Sequence, residues 1–276
     1  MICRPEKTDI PQMKEIWKLC FGDSIQDINY FYDVCFSFDD CYIAKEGDTV
    51  QAVIQLIKCQ IICGEKKYDA RYLYAVCTHP DFQGKGVMSC LINTALGYEK
   101  ESGTKAVLCI PSSESLFGFY KRFGFENAAF CSQKQLSRQE LNSFSAECSY
   151  CLNGDVKAFN GKRNEILSDI DNLCFVSFPN KFILLSKGFG YSFLYTENSY
   201  ASFSIDGDSV SIFDCGFSNE KGFGELCFAL KNETDAEKYS FDFTNGVSDS
   251  VLKGVINILD NTVSLKKHIY LGFKLE

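Results

Sequence analysis

Residues 76–96, VCTHPDFQGKGVMSCLINTAL, constrain the fold more than any other stretch of this chain. A strand-like run stops at Pro80, and Gly84 and Gly86 then open an apolar pattern at helical spacing. Such a turn leaves backbone N–H groups pointing outward at a helix N-terminus, where an anion is favoured. The two glycines permit positive φ and remove side chains that would block a phosphate, while Lys85 puts a cation on the rim. From these residues alone a ligand-free glycine turn is an equal reading. Neither the GxxxxGK[ST] loop nor the three-glycine dinucleotide fingerprint is present.

Upstream, Ile10, Met13, Ile16, Trp17 and Cys20 predict a helix from Thr8 or Asp9 to Phe21, and Ile28, Phe31, Tyr32 and Cys35 predict a second from Ser24 to Phe36. The period then changes to two. Residues 40–78 read as an antiparallel meander of three strands, with turns at Glu46-Gly47-Asp48 and Gly64-Glu65-Lys66-Lys67. After the glycine turn come a helix over Gly86–Glu101, a strand over Lys105–Ile110, a helix over Ser113–Phe123 and an extended Phe125–Leu136. The polar, weakly periodic sequence that follows places a domain boundary near residue 145, giving domains 1–145 and 146–276.

The second part predicts a helix at Arg163–Phe175, strands either side of Asp206-Gly207-Asp208, and a helix at Lys221–Leu230. A strand at Tyr239–Phe243, a helix at Asp249–Leu259 and a last strand at Ile269–Lys274 complete it. This order echoes the first part, as a diverged internal duplication would. Counting strands leaves the N-terminal sheet one short, and the terminal HIYLGFKLE is the expected source of the missing one.

The spacing Val76-x-Thr78-x-Pro80-x-x-Gln83-Gly84-x-Gly86-Val87, followed by SESLFGFYKRFGF at 113–125, resembles the GNAT family of acetyl-CoA-dependent N-acyltransferases over roughly residues 1–136. The resemblance implies an α+β (α/β) GNAT fold, a mixed, splayed β-sheet flanked by helices, followed by a second, degenerate GNAT-like α/β lobe. It implies acetyl-CoA as co-substrate, with its pyrophosphate on the backbone amides of Gln83, Gly84, Lys85, Gly86, Val87 and Met88. Ala75, Val76 and Thr78 would pair with the pantetheine arm, and Tyr120 would protonate the departing thiolate. Ser113 stands where many relatives place an asparagine that touches the cofactor, and Ser112 and Ser113 also suit helix caps. Asp39, Asp40, Glu114 and the carboxylate of Glu276 are the acids available as general base, and His79 reads as a loop residue. In the second lobe Asn219-Glu220-Lys221-Gly222 takes the place of Q-G-x-G, so no CoA is expected there.

The resulting expectation is acetyl transfer to a primary amine by direct attack in a ternary complex, with residues 146–276 walling off the acceptor site. The alternative is a non-catalytic acyl-CoA sensor or protein-interaction module. A net charge of −8 argues against nucleic acid and anionic membranes as partners and suits a cationic small-molecule or peptide amine. The opening MICRPEKTDIPQ has no apolar core behind a basic start and no apolar run reaches 18 residues, so neither secretion nor membrane spanning is expected, and the fifteen cysteines lie scattered in apolar runs, as buried free thiols do in a reducing cytoplasm. A lone CxxC at Cys148 and Cys151 with two histidines in all gives no metal site. Oligomeric state is not legible.

Overall fold

The first strand, β1 (Ile2–Cys3), pairs antiparallel with β2 (Cys41–Glu46), and two helices fill the connection between them. Helix α1 (Ile10–Phe21) begins with a proline in its first turn and stops at Gly22, whose φ of 76° only glycine adopts freely. Helix α2 (Ile25–Val34) starts at Ser24, whose hydroxyl accepts from the Asp27 amide at 3.1 Å. Met13, Ile16 and Trp17 of α1 and Ile28 and Phe31 of α2 are buried, the faces that the helical spacing marks.

The meander follows as β2, β3 (Thr49–Cys63) and β4 (Lys66–Thr78), reversed at Gly47 and Gly64. Helix α3 (Val87–Glu101) carries the chain to β5 (Ala106–Cys109), which lies parallel to β4, and α4 (Glu114–Lys121) leads into β6 (Glu126–Ser137). Leu91, Ile92 and Ala95 of α3 pack with Ile54, Leu56, Leu73 and Val107 in one core. The computed structural model describes residues 1–171, 173–243, 250–263, 265 and 269–272. They fall into two units, the first made of Met1–Gln60, Tyr68–Asn127 and Val255–Ser264.

The strand missing from the N-terminal count comes from an unexpected place. Val255–Ile258 pair antiparallel with Cys109–Ala106, so the segment read as a helix at Asp249–Leu259 is a strand. The spacing of Leu252, Val255, Ile256 and Leu259 fits a helix, but the β-branched residues fit a strand, and backbone pairing to β5 decides. Leu259 N–H also donates to the Lys105 carbonyl, and Lys105 holds Asp260 at 2.5 Å. A fragment ending at residue 145 therefore leaves β5 with a bare edge. Such a fragment is expected to aggregate or melt without cooperativity; a soluble 1–145 with a sharp thermal transition contradicts this account.

The second unit comprises Ile61–Lys67, Ala128–Gly254 and Leu265–Glu276. After α5 (Arg138–Phe144) and β7 (Cys151–Leu152), helix α6 spans Val156–Ser168, capped by Asp155. The sequence reading set this helix too late: Cys174–Ser177 is strand β8, and α7 (Asn180–Gly188), which that reading lacked, follows it. Burial of Cys174, Phe175 and Val176 overrides the helical spacing there. Then come β9 (Ser192–Tyr195), β10 (Ser199–Asp206), β11 (Ser209–Phe217), α8 (Glu220–Glu233), β12 (Lys238–Phe243), β13 (Ser250–Ile258) and β14 (Ile269–Tyr270). The unit's sheet runs β6-β12-β11-β10-β9-β7, with β12 parallel to β11 and antiparallel to β6. Leu136, Leu141, Val210, Leu226 and Phe241 form its core beneath α5 and α8. Strand β14 pairs with β6 and β8 inside this unit, and the expected continuation through Phe273 and Lys274 lies outside the described residues.

Buried under α6 is an ion pair. Arg163 Nε sits 2.7 Å from Asp214 Oδ2 with both side chains fully out of solvent. The hydroxyls of Tyr200 and Tyr270 donate to Asp214 Oδ1 at 3.0 and 2.9 Å, and Arg163 Nη1 donates to the Val176 carbonyl. Gly272 closes over them: a Cβ there would meet Arg163 Nη2 at 2.4 Å. One cysteine expectation is corrected. Thirteen of the fifteen cysteines form no disulfide, but Cys63 and Cys174 are joined across 111 residues.

Candidate functional site

Strand β5 pairs with β4 only over Ala70–Tyr72, opposite Ala106–Leu108, whereas β4 continues to Thr78. Its last six residues therefore run past their neighbour, unpaired by β5 on that side. Within this stretch Ala75 has φ 48°, a left-handed conformation that costs an alanine free energy and marks a local break in the strand. Val76 and Thr78 follow it, half-buried.

The chain then turns through Pro80–Phe82. Gln83 folds back, its Nε2 donating to the Thr78 carbonyl at 3.1 Å and its N–H to the Pro80 carbonyl at 3.2 Å. Gly84 and Gly86 have φ of 72° and 79°, and Gly86 is the N-cap of α3 without any side chain capping the helix. Among the described residues, Gly84, Lys85, Gly86, Val87 and Met88 donate their N–H groups to no acceptor. A Cβ added at either glycine would meet nothing within 4 Å, so the space before these amides is open. Uncapped amides at a positive helix end make an anion seat. Of the six amides expected to form it, Gln83's is turned to its own chain. Val87 and Met88 anchor the helix start on the core, and Lys85 lies over the Phe82 ring at 5.3 Å.

Tyr120 is on α4, 4% exposed, beside the Cys109 thiol at the end of β5 and against the Phe125 ring at 5.6 Å. Burial, reinforced by Cys109, holds its phenol far above the usual range, so it is protonated at neutral pH. Burial likewise pushes the Cys109 thiol up to about 12. The turn after α4 is fixed from a distance: Asn257 Nδ2 donates to the Phe123 carbonyl at 2.6 Å, next to Gly124 with φ 83°. Sequence reasoning missed Asn257 because nothing local ties residue 257 to residue 123.

The Ser113 hydroxyl accepts from no backbone amide at the start of α4; it is exposed and lies 3.1 Å from the Ser115 hydroxyl. Asp40 is buried in ion pairs with Arg71 and Lys58 at 3.6 and 3.5 Å, while Asp39 and Glu114 are exposed. Glu276 lies outside the described residues. His79 Nδ1 accepts from the Asp81 amide at 3.2 Å, a loop role. In the second unit the start of α8 is closed: Asn219 accepts from the Gly222 amide at 2.9 Å, and a Cβ on Gly222 would lie 2.4 Å from the Asn198 carbonyl. Among the described residues no cluster of three or more His, Cys, Asp or Glu could hold a metal ion, and no helix is long and apolar enough to cross a membrane.

This architecture is the GNAT fold. It superposes on a GCN5-related N-acetyltransferase from Kribbella flavida with a TM-score of 0.76, at 13% identity, over 94% of this chain and 72% of that one. A tandem GNAT protein from the clavulanic acid biosynthesis pathway aligns over 94% of this chain and 99% of its own, with a TM-score of 0.52 and 10% identity. Residues 2–128 match the family model described as an acetyltransferase (GNAT) domain. It is also 34% identical over 70 residues to an uncharacterized N-acetyltransferase of Methanocaldococcus jannaschii, an alignment covering 25% of this chain and 31% of that relative.

Proposed function

We propose that the first unit transfers an acetyl group from acetyl-CoA to a primary amine by direct attack in a ternary complex. The observation that carries this reading is the unpaired end of β4, broken at Ala75, running straight into the uncapped start of α3. The pyrophosphate sits on the amides of Gly84–Met88, and the pantetheine arm adds to β4 along Ala75–Thr78 as an extra strand. A backbone amide of that strand meets the thioester oxygen as it gains negative charge. The amine, in its neutral form after losing a proton to water, attacks the thioester carbon, the C–S bond breaks, Tyr120 gives its proton to the leaving thiolate, and the proton shed by the acylated nitrogen passes to water, from which Tyr120 is reprotonated. Ser113 lies at the rim of the cofactor site. The protein works in the cytoplasm, with the groups that bind the cofactor and carry the chemistry all before residue 145 and no cofactor in the second part, where α8 starts closed.

The acceptor is cationic. Between Leu19 and Asp40 there is no lysine, arginine or histidine, while Asp23, Asp27, Asp33, Asp39 and Asp40 all fall there. This acidic span covers α2 and the turn before it, where Trp17 Nε1 donates to Asp23 at 2.7 Å. Free thiol released from acetyl-CoA across a panel of small amines and anionic acceptors tests the reading. Cationic amines are expected to give the fastest release. Gly86→Glu, which places a carboxylate before the anion seat, is expected to abolish both that release and the thermal stabilisation by acetyl-CoA. Stabilisation by acetyl-CoA without thiol release from any acceptor leaves a sensor in place of an enzyme, and unchanged stabilisation of Gly86→Glu removes the cradle itself.

A further inference from the structure

Cys20 and Cys77 meet where α1 crosses the end of β4. The Cys20 thiol lies 3.2 Å from the Thr78 carbonyl oxygen, one residue from Cys77, and packs on the apolar cluster in which Cys77 is buried beside Met13, Ile16 and Cys41. The Cys77 thiol lies 3.8 Å from the Val53 carbonyl oxygen, and each thiol shifts the titration of the other. Cys20 is half-exposed and Cys77 is 3% exposed, so one sulfur is open to a small molecule and the other only to the first. We propose that this pair is a thiol–disulfide exchange site for low-molecular-weight disulfides, with Cys20 as the attacking thiol and Cys77 as the resolving one.

The electron balance is simple. Cys20, having lost its proton, attacks one sulfur of the small disulfide; that S–S bond breaks, a thiolate leaves, and a mixed disulfide forms on Cys20. Cys77 then gives up its proton to the medium and attacks the Cys20 sulfur, expelling the second small thiol and leaving a Cys20–Cys77 bond. One small disulfide is reduced to two thiols, and the protein dithiol is oxidised. The environment divides these roles. The neighbouring Cys77 thiol, against the opposing effect of burial, lowers Cys20 to about 7, whereas Cys77 is raised well above the usual thiol range, chiefly by Cys20 and by burial. A thiol near neutral is both substantially ionised and still a good nucleophile, which makes it on the order of 3- to 10-fold faster than an ordinary exposed cysteine at pH 7. The exchange stands independently of acetyl transfer, since neither sulfur is among the groups that perform it.

The test uses the intact chain and glutathione disulfide, followed by acid quenching, alkylation and peptide mapping by mass spectrometry. The expected result is a Cys20–Cys77 cross-link forming severalfold faster than the glutathione adduct at exposed Cys90. In Cys77→Ala the adduct on Cys20 should persist in place of the cross-link; in Cys20→Ser, Cys77 should stay unmodified. Reaction at Cys20 no faster than at Cys90, or a wild-type adduct on Cys20 that never converts to the cross-link, overturns the proposal. Should Cys77→Ala fold poorly, the wild-type time course and Cys20→Ser decide it alone.

Discussion

Replacing Asp214 with alanine is expected to destabilise the second unit by about 3–5 kcal/mol, because it strands a buried guanidinium without its counter-ion. Arg163 and Asp214 are both shielded from water, and the carboxylate also receives the Tyr200 and Tyr270 hydroxyls. The single change therefore leaves one charge and two phenol donors without their acceptor, each carrying its own desolvation cost. The urea midpoint of the variant should fall accordingly. The double change Arg163→Met with Asp214→Leu, which removes both charges at similar volume, should recover much of the loss. A loss below about 1 kcal/mol in the single variant would mean that water reaches the guanidinium, against its burial.

Tyr120→Phe is expected to slow single-turnover acetyl transfer by about 10²-fold, while the thermal shift produced by acetyl-CoA changes little. The change removes one oxygen and almost no volume, so α4 keeps its packing against Phe125 and Phe119. Because the phenol is protonated at neutral pH, it is in the form that donates, and the leaving thiolate is the base it meets. Single-turnover rates are the measurement to use, since slow release of product masks a loss in steady state. An unchanged rate would assign Tyr120 to packing and leave the thiolate to be protonated by water.

The N-terminal half was legible because its signals are local. Alternation over Cys41–Thr78, glycines at 47 and 64, the serine cap at 24 and the glycines at 84 and 86 each state a backbone preference within a few residues. The glycine turn was visible for the same reason, and its uncapped amides followed from it. What the sequence hid was long-range. Residues 249–259 fit two periods, and only β5, some 150 residues earlier in the chain, makes them a strand. The left-handed Ala75 carries no sign in its residue type, since alanine has no preference for that conformation. The thiol partners Cys20 and Cys77, and Cys109 beside Tyr120, were read only as apolar filler because cysteine serves that role so often.

Closing the first sheet with Val255–Ile258 makes its completion wait until residue 258 has been translated. At elongation rates of about 5–20 residues per second, roughly 6–25 s pass between emergence of Asn127 and of Val255. Throughout that interval the β5 edge offers unpaired amides and carbonyls to any other nascent chain. A product truncated anywhere between residues 145 and 254 does not survive as a smaller, working acetyltransferase. It carries an open sheet edge, which makes Val255–Ile258 a checkpoint for the strands translated before them.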